Sequence, residues 1–217
     1  MDRRKWSEPL RLRVRGPLAC FTRPELRVER VSYEVMTPAG AHGVLRAVLG
    51  KPCIDWEAIA ITVLAPVRWH SFRRNEVNSV MNPRSDGLVA DEDRAQRNTV
   101  ALRDVDYVIE ARFHLNDKVR EGDSVAKFEE MFRHRLERGQ VFLQPYLGCR
   151  EFAGAVSSAD GAPAPVDHSD RPLGEMFYDW DWHDPKNPRP LFFDARLTDG
   201  VLRVPTRAEV LAREGRR

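Results

Sequence analysis

The sequence predicts an α+β fold, and three observations support this class. Residues 10–15, LRLRVR, alternate apolar side chains with arginines, which is the period of two of a half-buried strand. Residues 38–49 carry apolar side chains at helical spacing behind a Thr-Pro step that is typical of a helix start. Residues 104–115 repeat the alternating strand pattern. The 217 residues suffice for one core, or for one domain with a smaller second one.

The first predicted strand has one basic face, because its apolar side chains face the core and its arginines point the other way. Gly16-Pro17 is expected to end it. The loop that follows, FTRPE, places Phe21 beside Arg23, a pairing that can stack a base and neutralise its phosphate. The alternative is an ordinary solvated face, since exposed charges are common on any protein.

The stretch from Val28 to Lys51 predicts a strand followed by a helix. Val28 to Val35 is rich in β-branched and aromatic residues, which favour strands. Thr37 is the predicted N-cap, and Pro38 suits the first helical position because its missing N–H is not needed there. Gly50 is expected to end the helix in the left-handed conformation of a C-cap.

The middle of the chain predicts two further strands joined by a long exposed segment. One strand is predicted at Ile59 to Val67, and Pro66 suggests that it lies at a sheet edge. Asn78 to Thr99 contains Pro83, mixed charges and no apolar period, so we predict a loop that contacts another molecule. Asp104 to Leu115 is the clearest strand, because every second side chain is apolar.

The last part of the chain predicts one more helix and then short strands. Ser124 is the expected cap of a helix whose apolar stripe contains Phe128, and Gly139 ends the pattern. Lys127 is rotated from that stripe by about 100°, so it can reach solvent or a ligand near the helix N-terminus. Beyond a loop at 153–172, short strands are predicted near 173–182, 190–197 and 201–204.

The predicted order is strand, helix, strand, strand, helix, strand, which is typical of RRM-like (ferredoxin-like) folds. Such folds expose one face of their sheet to RNA. We therefore expect an RRM-like domain over residues 1–145 and a small domain with an antiparallel β-sheet over residues 146–217. The same periodicity would also suit an unrelated α+β enzyme.

Composition adds a bias toward arginine, which accounts for 30 of the 35 basic residues although the net charge is only +2. Arginine binds phosphates and stacks on bases, but a GC-rich genome gives the same bias. The basic stretches are Arg3–Arg30 and Arg68–Arg103, whereas Asp160–Asp184 is mostly acidic, so the first half is the candidate nucleic-acid face. Three scattered cysteines and no long apolar run favour a cytoplasmic protein without a disulfide framework, zinc knuckle or membrane span.

Several segments resemble one family in the same order along the chain. They are ACFTRPELRVERVSYEVMTPAGAHGVLRAVLGKP, PVRWHSFRRNEVNS, LRDVDYVIEARFHL, PYLGCREF and PLFFDARLTDGVL. Over nearly its whole length, the sequence is similar to the Cas-five subunit of type I-C CRISPR systems (subtype d), a member of the RAMP superfamily.

This resemblance implies an endoribonuclease that cuts precursor CRISPR RNA at the repeat hairpin, keeps the 5′ handle and stays in the Cascade complex of antiviral defence. The implied partners are CRISPR RNA, the Cas-seven backbone, the Cas-eight large subunit and, through the complex, target DNA. The cut needs no metal, and no cofactor is expected. Two other classes remain open: a catalytically inactive subunit that caps the handle, and a general nucleic-acid-binding module that also binds duplex DNA.

The reaction is attack of a ribose 2′-OH on the adjacent phosphate, which calls for a base, an acid and a cation. Family members use a tyrosine, a lysine and a histidine for these roles. The lysine corresponds to Lys127, whereas the tyrosine and histidine positions hold Leu49 and Phe128, which cannot transfer protons. Three polar residues are considered as substitutes, although the two histidines lie about 11 Å from the family positions: His42, His134 and Tyr33.

The predicted RNA-binding residues come from the segments FTRPELRVER and FRRNEV. Each has a basic or amide side chain that can bind phosphate or a base. They are Arg23, Arg27, Arg30, Arg73, Arg74 and Asn75.

Overall fold

The computed structural model describes residues 5–82, 84 and 87–215. Arg3, at the start of the first basic stretch, and Pro83, in the predicted loop, lie outside these residues. The strands and helices are β1 (Leu10–Ala19), β2 (Arg30–Val31), α1 (Pro38–Val48), β3 (Ile54–Val63), β4 (Trp69–Val77), β5 (Arg94–Leu115), α2 (Val125–Glu137), β6 (Ala155–Ser158), β7 (Asp170–Asp181), β8 (Arg189–Thr198), β9 (Val201–Arg203) and α3 (Arg207–Glu214).

The strands of the described residues form one sheet in the order β6-β1-β5-β3-β9-β8-β7, with β2 and β4 also paired to β5. Every pairing is antiparallel except that of β2 with β5. The C-terminal strands continue the sheet because β9 pairs with β3. Helices combined with a mostly antiparallel sheet confirm the coarse fold class.

The alternation in β1 buries Leu12 and Val14 completely, as predicted. The strand does not end at Gly16-Pro17, however, but continues to Ala19. Pro17 falls between two paired positions of the ladder with β5, so its missing N–H removes no hydrogen bond. The prediction of a strand end at this proline was therefore wrong.

The start of α1 is as predicted, because Oγ1 of Thr37 accepts a hydrogen bond from the Gly40 N–H at 3.2 Å and Pro38 opens the helix. Its end differs from the prediction, since Gly50 is not among the described glycines with positive φ. Glycine is needed there for close approach, because a Cβ atom would lie 2.7 Å from the carbonyl oxygen of Arg46.

Two strand boundaries were wrong. The strand predicted from Val28 to Val35 shrinks to the two residues of β2. The strand predicted at Ile59 to Val67 is β3, which begins five residues earlier and ends at Val63. It lies inside the sheet between β5 and β9, so Pro66 follows the strand rather than marking an edge.

The predicted loop from Asn78 to Thr99 was wrong over its last six residues. They belong to β5, which has 22 residues and forms a long hairpin with β4, pairing Arg94 with Val77. The arms of this hairpin extend beyond the core, where neither face needs an apolar stripe, so the sequence shows no apolar alternation there. Only residues 78–93 connect the two arms.

The second helix and the C-terminal strands agree with the predictions. Ser124 caps α2 by accepting a hydrogen bond from the Lys127 N–H, Phe128 is buried on the inner face, and Gly139 has a φ of +62° just after the helix. The Asp199-Gly200 turn joins β8 to β9. In the described part of the chain, no helix is both long and apolar enough to cross a membrane.

Candidate functional site

Lys127 projects into solvent from the first turn of α2, as predicted, and its side chain is 47% exposed. Its Nζ atom donates hydrogen bonds to Oδ1 of Asp123 at 2.9 Å and to the carbonyl oxygen of Gly122 at 3.4 Å. The same atom lies 5.6 Å from the centroid of the Phe128 ring. The ammonium group is thus held close to the helix N-terminus.

A cavity of about 460 Å³ opens beside Lys127, and we call it the basic cavity. Besides Lys127, its wall contains three cationic side chains, Lys51, Lys118 and Arg120, and one carboxylate, Asp123. The sheet brings these cations together, because the first residue of β3 pairs with the last residue of β5. The segment before β3 therefore lies beside the segment after β5.

The basic cavity carries more positive than negative charge. Lys127 and, next, the backbone N–H of Arg120 hydrogen-bond to Asp123 and hold the pKa of its carboxyl below its ordinary value, so it is ionised at neutral pH. The side chains of Lys51, Lys118 and Arg120 form no hydrogen bond or ion pair within residues 5–82, 84 and 87–215. A phosphate group is a suitable ligand for such a cavity.

The positions that hold the family's tyrosine and histidine are part of the core. Leu49 is fully buried, and its carbonyl oxygen accepts a hydrogen bond from Nε1 of Trp56 at 3.0 Å. Phe128 is only 2% exposed and forms part of the wall of the basic cavity. Neither side chain transfers protons, so Lys127 lacks both family partners.

His42, one of the three substitutes considered, is held between α1, β3 and β7. Its Nδ1 lies 3.3 Å from Oδ2 of Asp179, and its Nε2 accepts a hydrogen bond from the Ala58 N–H at 3.4 Å. Burial opposes ionisation of Asp179, but the hydrogen bond and charge of His42 outweigh it and lower the pKa of this carboxyl. Both ring nitrogens of His42 therefore bind groups of the protein itself, so neither is available to act as a base on a substrate.

The other two substitutes differ in access. Tyr33 is buried, and its hydroxyl oxygen accepts a hydrogen bond from the Phe177 N–H at 3.1 Å. His134 is exposed on α2, seven residues and about 10 Å along the helix from Lys127. Of the three substitutes, only His134 has an exposed side chain.

Two of the six predicted RNA-binding residues belong to an ion-pair cluster. Arg30 contacts Glu151 at 3.1 Å and Glu76 at 3.3 Å, while Arg74 contacts the same two carboxylates at 2.6 and 2.8 Å. Arg74 is the more buried of the two arginines. Because these guanidinium groups are neutralised by carboxylates, they are less available to phosphate than free arginines.

The remaining four residues lie at the surface in different settings. Arg73 and Asn75 share the exposed face of β4, opposite to Arg74, because alternate side chains of a strand point to opposite faces. Arg27 is exposed just after a short 3₁₀ turn, whereas the guanidinium of Arg23 lies 4.4 Å from the centroid of the Tyr33 ring. The six residues therefore have different settings: two are paired with carboxylates, one lies over an aromatic ring and three are exposed.

Phe21 does not stack a base. It is 3% exposed and packs edge to face against Tyr107, with ring centroids 6.1 Å apart. The sequence prediction of an aromatic residue open to RNA in FTRPE was therefore wrong, because this loop closes over the core. Sequence reasoning also missed three cations that belong to no motif: Lys51 in the segment between α1 and β3, and Lys118 and Arg120 in the segment between β5 and α2.

Comparison with known proteins identifies the family. Residues 9–214 match the sequence model of the family described as CRISPR-associated protein (Cas_Cas5). A relative from Mannheimia succiniciproducens named CRISPR pre-crRNA endoribonuclease Cas5d is 40% identical over 214 residues, which cover 90% of this chain and 94% of the relative. A relative of the same name from Thermus thermophilus is 37% identical over 213 residues, which cover 90% of this chain and 91% of the relative.

A solved structure supports the fold. It is described as Crystal Structure of CRISPR-associated Protein, superposes with a TM-score of 0.73 at 22% identity, and covers 95% of this chain and 96% of its own. Together with the family match along nearly the whole sequence, these similarities show that the chain belongs to the Cas5d family of CRISPR-associated proteins.

Proposed function

We propose that this chain is a metal-independent endoribonuclease that cuts precursor CRISPR RNA at the repeat hairpin and retains the 5′ handle of its product. The names of the two relatives support the reaction. The basic cavity is the observation that assigns this reaction to particular residues. In it, Lys127 and three further cations line a space large enough for a phosphate.

Lys127 is the catalytic residue of this proposal. The 2′-oxygen of the substrate attacks the adjacent phosphorus, the 5′-oxygen of the next nucleotide leaves, and negative charge builds up on the equatorial oxygens. A cation fixed at this point stabilises the transition state more than the ground state, which is commonly worth about 3 kcal/mol. Lys51, Lys118 and Arg120 draw the RNA backbone toward the cavity.

The rate should be modest, because Leu49 and Phe128 provide no proton transfer at the family positions. General acid–base catalysis typically contributes about 10²- to 10⁴-fold. His134 is the first candidate for a substitute base, since it is exposed on the same helix as Lys127. It would act on RNA that extends along α2, not on a phosphate in direct contact with Lys127.

We place the RNA-binding face on the two basic segments of the N-terminal half. Arg27, Arg73 and Asn75 are exposed and would contact RNA directly, with Arg23 beside them. Arg30 and Arg74 would contribute mainly by fixing the segment around Glu151 against β4. The 5′ handle would then run over β4 and the 3₁₀ turn.

The finer description of the fold is part of the proposal. An RRM-like domain over residues 1–145 is supported by the neighbouring order β6-β1-β5-β3, with α1 before β3 and α2 between β5 and β6. Its last strand, β6, lies beyond residue 145. The strands β7, β8 and β9 would form the small β-rich part over residues 146–217.

The partners of this chain are likewise proposed. In the cytoplasm, it would bind CRISPR RNA, the Cas-seven backbone and the Cas-eight large subunit and, through them, target DNA. The tip of the β4–β5 hairpin supports a protein neighbour, because Val80 and Met81 are 94% and 63% exposed. Adjacent exposed apolar side chains are typical of a surface that another molecule covers.

A second function is a handle-binding subunit that does not cut. The burial of Leu49 and Phe128 favours it, because two of three family positions lack proton-transfer groups. One experiment separates the two functions. A labelled repeat RNA is incubated with the purified protein in EDTA, and a substrate with 2′-deoxyribose at the cut serves as control. The endoribonuclease leaves a 2′,3′-cyclic phosphate on the upstream fragment of the first RNA only, whereas tight binding without any cut establishes the second function.

A further inference from the structure

A second cavity, of about 320 Å³, is surrounded by four of the five tryptophans, and we call it the aromatic cavity. Trp6 precedes β1, Trp56 lies in β3, Trp180 lies near the end of β7, and Trp182 directly follows that strand. Residues separated by more than 170 positions are brought together here. The family resemblance assigns no role to this cavity.

Two of the four indoles are committed to the fold. Trp56 is buried and donates its N–H to a main-chain oxygen of the core. Trp6 packs against His114, with ring centroids 4.7 Å apart, and the guanidinium of Arg112 lies 4.3 Å from its ring centroid. These two rings form the wall of the cavity and have little free surface.

The other two indoles are open at the mouth of the cavity. Trp180 is 41% exposed and touches the ring of Phe177 edge to face, at a centroid distance of 5.7 Å. Trp182 is 58% exposed and makes no ring contact or hydrogen bond within the described part of the chain. The mouth therefore offers aromatic surface without an intramolecular partner.

The wall of the cavity carries three carboxylates, those of Asp55, Glu57 and Asp179, and two guanidinium groups, those of Arg46 and Arg207. Each carboxylate of the wall has a cationic or imidazole partner: Asp55 with His114 at 3.5 Å, Glu57 with Arg112 at 2.6 Å, and Asp179 with His42 at 3.3 Å. Arg207 donates to Asp181 at 2.8 Å. By contrast, the exposed guanidinium of Arg46 forms no hydrogen bond or ion pair within residues 5–82, 84 and 87–215.

The two exposed indoles and the guanidinium group of Arg46 suit a ligand that has an aromatic ring and one phosphate group. Stacking on an indole together with one arginine suits a nucleobase and its phosphate. The volume is at the lower end of the range of small-molecule pockets, so it suits one nucleotide and excludes a duplex.

We infer that the aromatic cavity binds a single unpaired nucleotide of RNA, with its base against Trp180 and Trp182 and its phosphate at Arg46. The inference rests on the proposed function only for the identity of the RNA. The aromatic cavity would then hold one flipped-out nucleotide of the repeat, at a site distinct from the basic cavity that holds the phosphate at the cut.

The first test removes one base at a time from the repeat RNA. Each unpaired position is replaced in turn by an abasic ribose, and the affinity is measured for the wild type and for Trp180→Ala and Trp182→Ala variants. At one position the missing base should weaken binding to the wild type about tenfold, the effect of one lost base stack, while it weakens binding to the Trp variants hardly at all. Phe142→Ala, which changes an exposed aromatic side chain beyond α2, is the matched control and should behave like the wild type.

Arg46→Ala tests the phosphate contact. It should weaken repeat binding and reduce the slope of log affinity against log salt by about one, whereas Arg138→Ala, at an exposed arginine just past α2, should leave both unchanged. Equal penalties for every abasic position in the wild type and both Trp variants would overturn the inference.

A second test does not depend on repeat binding. In the ¹⁵N-labelled protein, the five indole N–H signals are followed during titration with ribonucleoside 5′-monophosphates and, separately, with inorganic phosphate. The nucleotides should shift the Trp180 and Trp182 signals, and phosphate alone should shift none of the five. If these shifts occur although the protein neither binds nor cuts repeat RNA, the proposed function fails while the site stands. If no nucleotide shifts the Trp180 and Trp182 signals, the inference is wrong.

Discussion

The ammonium nitrogen of Lys127 lies 2.9 Å from a carboxylate oxygen of Asp123, one helical turn before it in the chain. Ser124, the N-cap of α2, stands between them in sequence, so the ion pair and the cap fix the same helix start. A phosphate that enters the basic cavity must therefore share Lys127 with an ionised carboxylate. In the proposed mechanism, Asp123 positions the catalytic cation and at the same time repels the phosphate of the substrate.

Replacing Asp123 by Asn should separate these two effects. Loss of the negative charge should strengthen binding of the repeat RNA about two- to fivefold at low salt, the size of an exposed ion-pair effect. The cleavage rate should nevertheless fall, because Lys127 loses the carboxylate that orients it. Affinity and single-turnover rate are measured on the same preparation. A variant that binds more weakly, or cuts faster, would contradict the dual role of Asp123.

Replacing Arg73 and replacing Arg74 should have different effects, although the two residues are adjacent in sequence. Arg73→Ala should weaken RNA binding and reduce its salt slope by about one, with little change in stability, because the side chain is exposed and its Nη1 donates one hydrogen bond, to Oε1 of Gln96 at 3.3 Å. Arg74→Ala should lower the free energy of unfolding by about 1 kcal/mol, since it removes a member of a partly exposed ion-pair network.

Urea unfolding and salt-dependent RNA binding of the two single variants provide the comparison. Arg138→Ala serves as the control for loss of an exposed arginine outside both basic segments. Identical binding and stability profiles for Arg73→Ala and Arg74→Ala would show that the two faces of β4 are not distinguished in this way.

Cys149 should be the most reactive cysteine. A hydrogen bond from Cys20 and the nearby charge of Arg30 lower the pKa of the Cys149 thiol to about 6, against the opposing effect of burial. The hydrogen bond with Cys149 and then burial raise the pKa of the Cys20 thiol, and Cys53 is buried. Because the thiolate is the nucleophile, alkylation of Cys149 by iodoacetamide should be fast at pH 7 and should slow as the pH falls through about 6.

Mass spectrometry of the alkylated protein locates the modified residue. Arg30→Met should move the midpoint of the pH profile upward, because Nη1 of Arg30 lies 3.4 Å from the Cys149 sulfur. A midpoint near 8.5 in the wild type, the ordinary value for a thiol, would contradict the account of this site.

The helices that cover the core were predictable from local patterns, whereas several strand boundaries and the exposed hairpin were not. Thr37 and Ser124 cap their helices through local contacts that four residues encode. The extension of β5 back to Arg94 has no such signal, because an exposed hairpin is held by backbone pairing rather than by buried side chains. The length of the hairpin could therefore be determined only from the structure.

The residues of the candidate site were also only partly predictable. The prediction that Lys127 reaches solvent was correct, since it depends only on the rotation of this residue from the apolar stripe of the helix. Lys51 and Lys118 line the same cavity because of the register of β3 against β5, which no local pattern specifies. Likewise, nothing in the sequence near His42 indicates that Asp179, 137 positions away, binds its ring.

Restoring the family's histidine provides a test by gain of activity. Phe128→His would place an imidazole in the wall of the basic cavity beside Lys127. It should raise the cleavage rate at least tenfold, because acid–base catalysis is otherwise missing, and it should cost about 1–3 kcal/mol of stability, because a polar ring replaces a buried phenyl group. Phe132→His, one turn further along the same buried stripe, is the control and should lose stability without gaining rate.

The most direct test of the account is single-turnover cleavage of the repeat RNA in EDTA by the wild type and by Lys127→Ala. The account predicts a rate about 10²-fold lower in the variant, since one transition-state cation is worth about 3 kcal/mol, with nearly unchanged RNA affinity. Lys186→Ala, at an exposed lysine between β7 and β8, should cut like the wild type. Wild-type cleavage by Lys127→Ala would contradict the account and move the active site away from the basic cavity.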